Sequence, residues 1–379
     1  MNGHPVVGEH FSINQAIQKG HKQMKITIFI GSISGGGAER VACNLANFLL
    51  KKHEVTMLTM SETPNAYGLH DIVRHISLIT AKERKNKIAG NALRYFRLKR
   101  YLKNTECDCY LVMLPITTAL LLHFKKICKA PIIASERNNP YIFSSFKRIM
   151  MRHYAKRADA WVFQTEDAAK WYEGIAKESV VIPNAINPAF IREPYVGEKE
   201  KSIVAAGRLS EQKNFKLLIE AFSKIAPDFP EYDLKIFGKG PLEQDLREYA
   251  AEKGVGERVN FMGYVDNMPE QLEKASLFVL SSDFEGMPNA LMEAMALGLP
   301  CVSTDCPVGG PRFLIKDGEN GLLVPVGDAE KMTEAMKSLL NDPEKAQIMG
   351  DNSREIANTL SPHEIYKKWE SVITEISEK

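Results

Sequence analysis

Hydrophobic residues in this chain fall in short, nearly unbroken runs and seldom alternate with polar ones. Residues 25–30, 55–60, 109–113, 131–134, 160–164 and 180–182 each read as a strand apolar on both faces. Longer segments separate them, the first a helix from Ala38 to about Lys51. Continuous apolar strands joined by helices predict a parallel, doubly wound sheet. After Pro183-Asn184-Ala185-Ile186-Asn187-Pro188 the pattern restarts, with strands at 203–206, 234–237, 259–261 and 277–280 and helices at 214–226 and 241–253. The fold expected is α/β, with two facing Rossmann-like, doubly wound domains at 24–187 and 188–358. Such pairs hold their ligand in the cleft, at the carboxyl ends of the strands. In the tail, 359–379, Ser361-Pro362-His363-Glu364 has the form of a capping box and opens a helix to about residue 376.

A length of 379 residues also favours two cores over one. Residues 1–23 lack the apolar core of a signal peptide. They are either a loosely ordered extension or a leader ahead of a true start at Met24, and the second fits the strand start better. No apolar run reaches the roughly 20 residues that span a bilayer. The six cysteines show no CxxC spacing and no grouping with His, so they read as reduced thiols of a cytosolic protein. Charge is uneven: residues 1–196 hold 28 Lys+Arg against 15 Asp+Glu, and the remainder holds 21 against 32. A basic half beside an acidic half suggests that the first domain meets an anionic surface.

The most informative stretch is Ser281–Pro300. A strand runs into a loop carrying Glu285, and a helix after Pro288-Asn289 carries Glu293 and stops at Gly298. A helix start exposes unpaired N–H groups and a partial positive charge, a setting for phosphate. Glu293, leaning back toward that start, can accept hydrogen bonds from a ribose. Gly207-Arg208-Leu209-Ser210-Glu211-Gln212-Lys213-Asn214 likewise follows a strand and opens a helix, and its two cations can converge on a diphosphate.

Glu285 and Glu293, with Gly-Met-Pro-Asn-Ala-Leu-Met between them, resemble the E-x7-E motif of retaining glycosyltransferase family 4. Within it the likeness is to the two-domain GT-B bacterial polysaccharide and lipid-sugar transferases of the amylovoran-type galactosyl or N-acetylgalactosaminyl subset. The resemblance covers about residues 24–375. It implies a metal-independent hexosyltransferase using a nucleotide sugar, UDP-linked, with a hexose or N-acetylhexosamine transferred to a lipid-linked or polysaccharide acceptor in cell-surface glycan synthesis. It implies no cofactor beyond that substrate. Glu285 is then the residue on the hexose, Glu293 on the ribose, and Arg208 and Lys213 on the departing diphosphate, where fixed cations replace a metal. On that division, Glu285→Gln leaves the affinity for the bare diphosphate nearly unchanged. The N–H groups of Asn289, Ala290 and Leu291 and the loop residue Gly286 complete the donor site. Gly238 and Gly240 match the family's G-x-G-P loop. Gly263 and Tyr264 lie in the segment whose main chain meets the base. Gly36 and Gly37 belong to a G-G-A-E-R loop facing the diphosphate across the cleft, and the terminal helix crosses back over the first domain.

Some positions stay open. Arg40 either reaches an anionic acceptor or pairs on its helix surface. Many family members carry a His near Ala134-Ser135-Glu136-Arg137-Asn138-Asn139-Pro140; here Glu136 or Arg137 replaces it on the acceptor and sugar side, or the contact is lost. Without the His, a catalytically silent nucleotide-sugar-binding subunit is one alternative. The other is an NAD- or nucleotide-sugar-dependent oxidoreductase with Glu62 as ribose acid, although the glycine spacing is not G-x-G-x-x-G. No Asp-x-Asp metal motif stands at Asp283. Residues 84–103 and 142–157 read as basic amphipathic helices. Since no base-reading module accompanies them, the partner expected is an anionic membrane and not nucleic acid. That places the protein in the cytoplasm, peripheral on the inner face of the plasma membrane.

Overall fold

The computed structural model describes residues 23–379; the extension or leader expected at 1–23 lies, but for Gln23, outside the described residues. The first sheet is built from β1 (Lys25–Ile30), β2 (Glu54–Thr59), β3 (Arg74–Ser77), β4 (Cys109–Met113), β5 (Ile132–Ser135), β6 (Ala160–Phe163) and β7 (Ser179–Val181). Their spatial order is β3-β2-β1-β4-β5-β6-β7. The connecting helices are α1 (Gly37–Leu49), α2 (Lys87–Asn104), α3 (Pro115–His123), α4 (Ser145–Ala155) and α5 (Glu166–Trp171). The second sheet is built from β8 (Glu200–Ala206), β9 (Asp233–Phe237), β10 (Val259–Gly263), β11 (Ala275–Leu280), β12 (Cys301–Thr304) and β13 (Leu322–Val324), in the order β10-β9-β8-β11-β12-β13. Its helices are α6 (Phe215–Ile225), α7 (Glu243–Glu252), α8 (Met268–Leu272), α9 (Asn289–Ala296), α10 (Gly310–Leu314), α11 (Ala329–Leu340), α12 (Pro343–Ser353) and α13 (Ile356–Thr359), and α14 (Pro362–Glu378) ends the chain.

Every strand pairing is parallel, as expected of strands buried on both faces. Strands β3 and β13 were not legible in the sequence. The first is a polar edge strand, Arg-His-Ile-Ser, and the second has three residues. In both sheets the order reverses beside the first strand, β1 or β8, so the following loops open a crevice at the carboxyl edge.

The two sheets share one hydrophobic cluster. It joins β1 and α1 of the first sheet to α9 of the second through Ile182, Ile186 and Phe190 of the connection. Ile365, Tyr366, Trp369, Ile373 and Ile376 of α14 enter the same cluster against α1, so the last helix does cross back to the first domain. Each of the three isoleucines contributes roughly 1.5–3 kcal/mol of transfer free energy. Ser361 caps α14, accepting from the Glu364 N–H. On the opposite face of the first sheet, α2, α3 and α4 lie side by side, linked by Tyr95 Oη to His123 Nε2 at 3.3 Å and His123 Nδ1 to Tyr154 Oη at 3.1 Å.

Candidate active site

The loops at the carboxyl ends of β8 and β11 are stitched together by their own polar groups. Asn214, in a left-handed conformation, caps α6 and donates through Nδ2 to Asp283 Oδ1 at 2.7 Å. Ser281 Oγ donates to the Lys213 carbonyl at 2.9 Å, and the Asp283 N–H to the Gln212 carbonyl at 2.9 Å. This brings Lys213 Nζ to 2.5 Å from Glu285 Oε1, in an ion pair with side chains only 17% and 8% exposed. Ser282 Oγ donates to the same oxygen at 2.7 Å, and Gln212 Nε2 reaches Oε2 at 3.4 Å. Two residues assigned separately from the sequence are thus directly paired. Arg208 points into solvent, and its side chain has no partner among the described residues. The two cations are therefore held apart in role: Lys213 is paired with Glu285 and Arg208 is exposed.

The start of α9 faces the start of α1 across the cleft: a Cβ on Gly37 would lie 2.9 Å from Asn289 Nδ2. Asn289, Ala290 and Leu291 form the first turn of α9, with no side-chain cap, so their N–H groups are available to an anion. One turn on, Glu293 is buried, and burial raises its carboxyl above the ordinary value against the pull of Arg40. Arg40, on α1, brings Nη2 to 2.5 Å from Glu293 Oε1. The approach is a charge contact and not an aligned hydrogen bond, since that oxygen receives none. Arg40 therefore pairs across the cleft with the expected ribose acid, not along its own helix surface. At the start of α1 the Glu39 carboxylate folds back over Gly36, where a Cβ would collide with it.

The glycines of the β9 loop have a packing reason of their own. A Cβ on Gly238 or Gly240 would strike the carbonyls of Gly207 or Leu209, so both let this loop close on the Arg208 loop. Gly263 ends β10 with φ +66°, accepts from the Gly238 N–H at 2.7 Å, and leaves Tyr264 exposed. Gly286 is where the first domain presses in: a Cβ there would meet Gln164 Oε1 and the Arg137 carbonyl.

Glu136 and Arg137 do not line an open cleft. Glu136 is 1% exposed; Tyr172 Oη donates to its Oε2 at 3.0 Å, and the Arg137 and Asn138 N–H groups to its Oε1, each at 3.1 Å. Burial pushes its carboxyl up to about 7. Arg137 is also buried, which pulls its guanidinium down to about 10. It sits over the Trp369 ring at 5.8 Å and donates to Asn184 Oδ1. A direct replacement for the family His would have to reach a sugar from these enclosed positions. Glu62 has an oxygen committed to the Ala81 N–H at 3.1 Å, which does not favour the dinucleotide reading. Sequence reasoning missed Ser282, Gln212, Gln164 and Asn184. All four are uncharged polar residues beside loops, and their partners lie from 3 to 105 positions away.

Of the cations expected on the membrane side, Arg97 is paired with Glu83 and Arg94 is engaged by Asn91 and the Met60 carbonyl. Arg157 is bonded to His153, Arg152 lies over the Trp171 ring and Lys147 over Phe143. The same helices expose Ile88 and Phe96 on α2, and Phe146 and Ile149 on α4. Among the described residues no helix is long and apolar enough to cross a membrane.

The chain is similar to known proteins along most of its length. The model of glycosyltransferase family 4 matches residues 35–190, and that of the glycosyl transferases group 1 matches residues 188–356. The chain is 29% identical over 361 residues to the GalNAc-alpha-(1->4)-GalNAc-alpha-(1->3)-diNAcBac-PP-undecaprenol alpha-1,4-N-acetyl-D-galactosaminyltransferase of Campylobacter jejuni, covering 93% of this chain and 99% of that one. It is 29% identical over 342 residues to the N-acetylgalactosamine-N,N'-diacetylbacillosaminyl-diphospho-undecaprenol 4-alpha-N-acetylgalactosaminyltransferase of the same organism, covering 84% and 90%. In fold it matches the Anabaena protein HepE, crystallised with UDP-glucose, at a TM-score of 0.81 and 17% identity over 93% and 100% of the two chains. Neither alternative is favoured by these matches. With both halves matched in order and the GT-B architecture in place, the chain belongs to glycosyltransferase family 4.

Proposed function

We propose that the protein transfers a hexose or N-acetylhexosamine from a UDP-linked sugar, with retention of configuration, to a lipid-diphosphate-linked or polysaccharide acceptor. One observation carries the reading. Lys213 with Glu285, the uncapped start of α9, and Glu293 with Arg40 stand together at the carboxyl edge of the sheets, facing the first domain. They supply in order a sugar-binding acid, a diphosphate site and a ribose acid. The names of the two Campylobacter relatives support a polyprenyl-diphosphate acceptor, and the ligand of the Anabaena structure supports a UDP sugar.

On this reading the diphosphate settles on the α9 N–H groups and draws in exposed Arg208 and paired Lys213. Their fixed charge stabilises the leaving group as its bond to the sugar breaks, the work a metal does elsewhere. Glu285, released from Lys213, takes the hexose hydroxyls. The acceptor hydroxyl approaches from the same face and gives its proton to the departing diphosphate. Glu293 exchanges Arg40 for the ribose. The basic face of α2 and α4 rests on anionic lipid, presenting a lipid-linked acceptor to the cleft from the inner face of the plasma membrane.

The test is turnover. Purified protein with a panel of nucleotide sugars is expected to release UDP from a UDP sugar, slowly in water and faster with a polyprenyl-diphosphate glycan. Binding without release from any donor would instead mark a silent subunit.

A further inference from the structure

An enclosed polar group at the domain junction is Asn184, 2% exposed, in the segment joining the two sheets. Its Oδ1 accepts from the Arg137 guanidinium and from Gln164 Nε2 at 2.8 Å. Its Nδ2 donates to Asn289 Oδ1 at 2.7 Å and approaches the Met287 carbonyl at 3.5 Å. An amide's two ends are similar in shape, so its direction is decided by its partners. Here Arg137 decides it, because a guanidinium has donors and no acceptor. The oxygen of Asn184 must face Arg137, its N–H₂ must face Asn289, and Asn289 must receive with its own oxygen. The N–H₂ of Asn289 is then left pointing the other way, against Gly37, with no acceptor among the described residues.

We propose that Asn184 is a positioning residue for donor binding: with Arg137 and Gln164 it fixes the amide of Asn289 so that its N–H₂ donates to the diphosphate between the starts of α1 and α9. The proposal rests on the reading of that cleft as the nucleotide-sugar site. It also accounts for Arg137. A buried cation with no carboxylate on it is costly. Methionine would fill the same space, but only a pure donor fixes the direction of the chain of amides. In this role Arg137 acts on the donor through Asn184 and Asn289, and touches no substrate itself.

The test uses the whole protein, Asn184→Asp, Asn289→Ala and the double variant, titrated with UDP and with GDP and ADP beside it. Asn184→Asp keeps the acceptor for Arg137 and Gln164 and gains a charge pair, but its ionised carboxylate cannot donate to Asn289. Each single variant is expected to weaken UDP binding by roughly tenfold, the scale of one hydrogen bond to a charged group. Asn184→Asp is expected to keep the wild-type Tm. In the Asn289→Ala background Asn184→Asp is expected to change UDP affinity no further. A through-space effect of the new charge would persist in that background, so additive losses overturn the relay. Wild-type affinity in Asn184→Asp, or a fall in Tm that tracks its loss of affinity, also overturns it. Failure of the wild type to bind any of the three nucleotides would instead overturn the functional reading beneath it.

Discussion

The pairing of Glu285 with Lys213 replaces the expectation of a nearly unchanged affinity for the bare diphosphate: Glu285→Gln is expected to tighten the binding of bare UDP while slowing transfer. In the structure Lys213 is not waiting for a diphosphate; its ammonium is held 2.5 Å from Glu285 Oε1 in a largely buried pair. A diphosphate that recruits Lys213 must draw it out of that contact. Gln keeps the shape and still accepts from the ammonium, but without a charge of its own. Hydrogen bonds to charged groups span about 1.5–3 kcal/mol; an ion pair lies at the top of that range and a neutral acceptor at the bottom, so the hold on Lys213 drops by up to about 1.5 kcal/mol. At about 1.4 kcal/mol per decade, UDP affinity rises by up to about tenfold. Removing a carboxylate beside an incoming anion acts in the same direction. Isothermal titration with UDP reads the first effect, and steady-state transfer the second, since Gln is a poorer acceptor for the sugar hydroxyls. Unchanged or weaker UDP binding in Glu285→Gln would refute the idea that this acid restrains Lys213.

Arg208→Ala is expected to lower turnover by about 10²–10³-fold with an unchanged Tm, because the side chain is exposed; wild-type rates would remove it from the mechanism. Glu136 predicts a stability slope. Burial holds its carboxyl near 7 against an ordinary 4.5, so between those values the folded protein keeps a proton that the unfolded chain has lost. Stability therefore falls as pH rises through that window, by about 3 kcal/mol at most; Tm against pH should be flatter for Glu136→Gln, and equal slopes would contradict the assignment. Co-sedimentation with liposomes is expected to require acidic lipid and to weaken with salt; equal binding to neutral vesicles would argue for an apolar contact, and no binding would make α2 and α4 ordinary surface helices.

What could be read from the sequence was what nearby residues determine. The strand runs, the start of α9 and the local strings around Arg208, Lys213, Glu285 and Glu293 are each set by close neighbours or by a repeated period. The bond partners were another matter. Arg40 lies 253 positions before Glu293 and Asn184 lies 105 before Asn289, and periodicity carries no information across such distances. Gly238, Gly240 and Gly286 could be matched to a ligand-facing loop, but their collisions with Gly207, Leu209 and Gln164 appear only once the loops are in space. Glu136 and Arg137 looked available because the segment is polar; Tyr172 and Trp369, which enclose them, come from the end of α5 and from α14. Strand β3 was hidden by its edge position, where polar residues are tolerated.

Transfer with retention in the cleft between the sheets is read by letting the protein transfer a ¹³C-labelled sugar from its α-linked UDP donor to a polyprenyl-diphosphate glycan and recording the new anomeric signal by NMR. An α-linked product is expected, formed by wild type and lost in Arg208→Ala. A β-linked product would contradict retention.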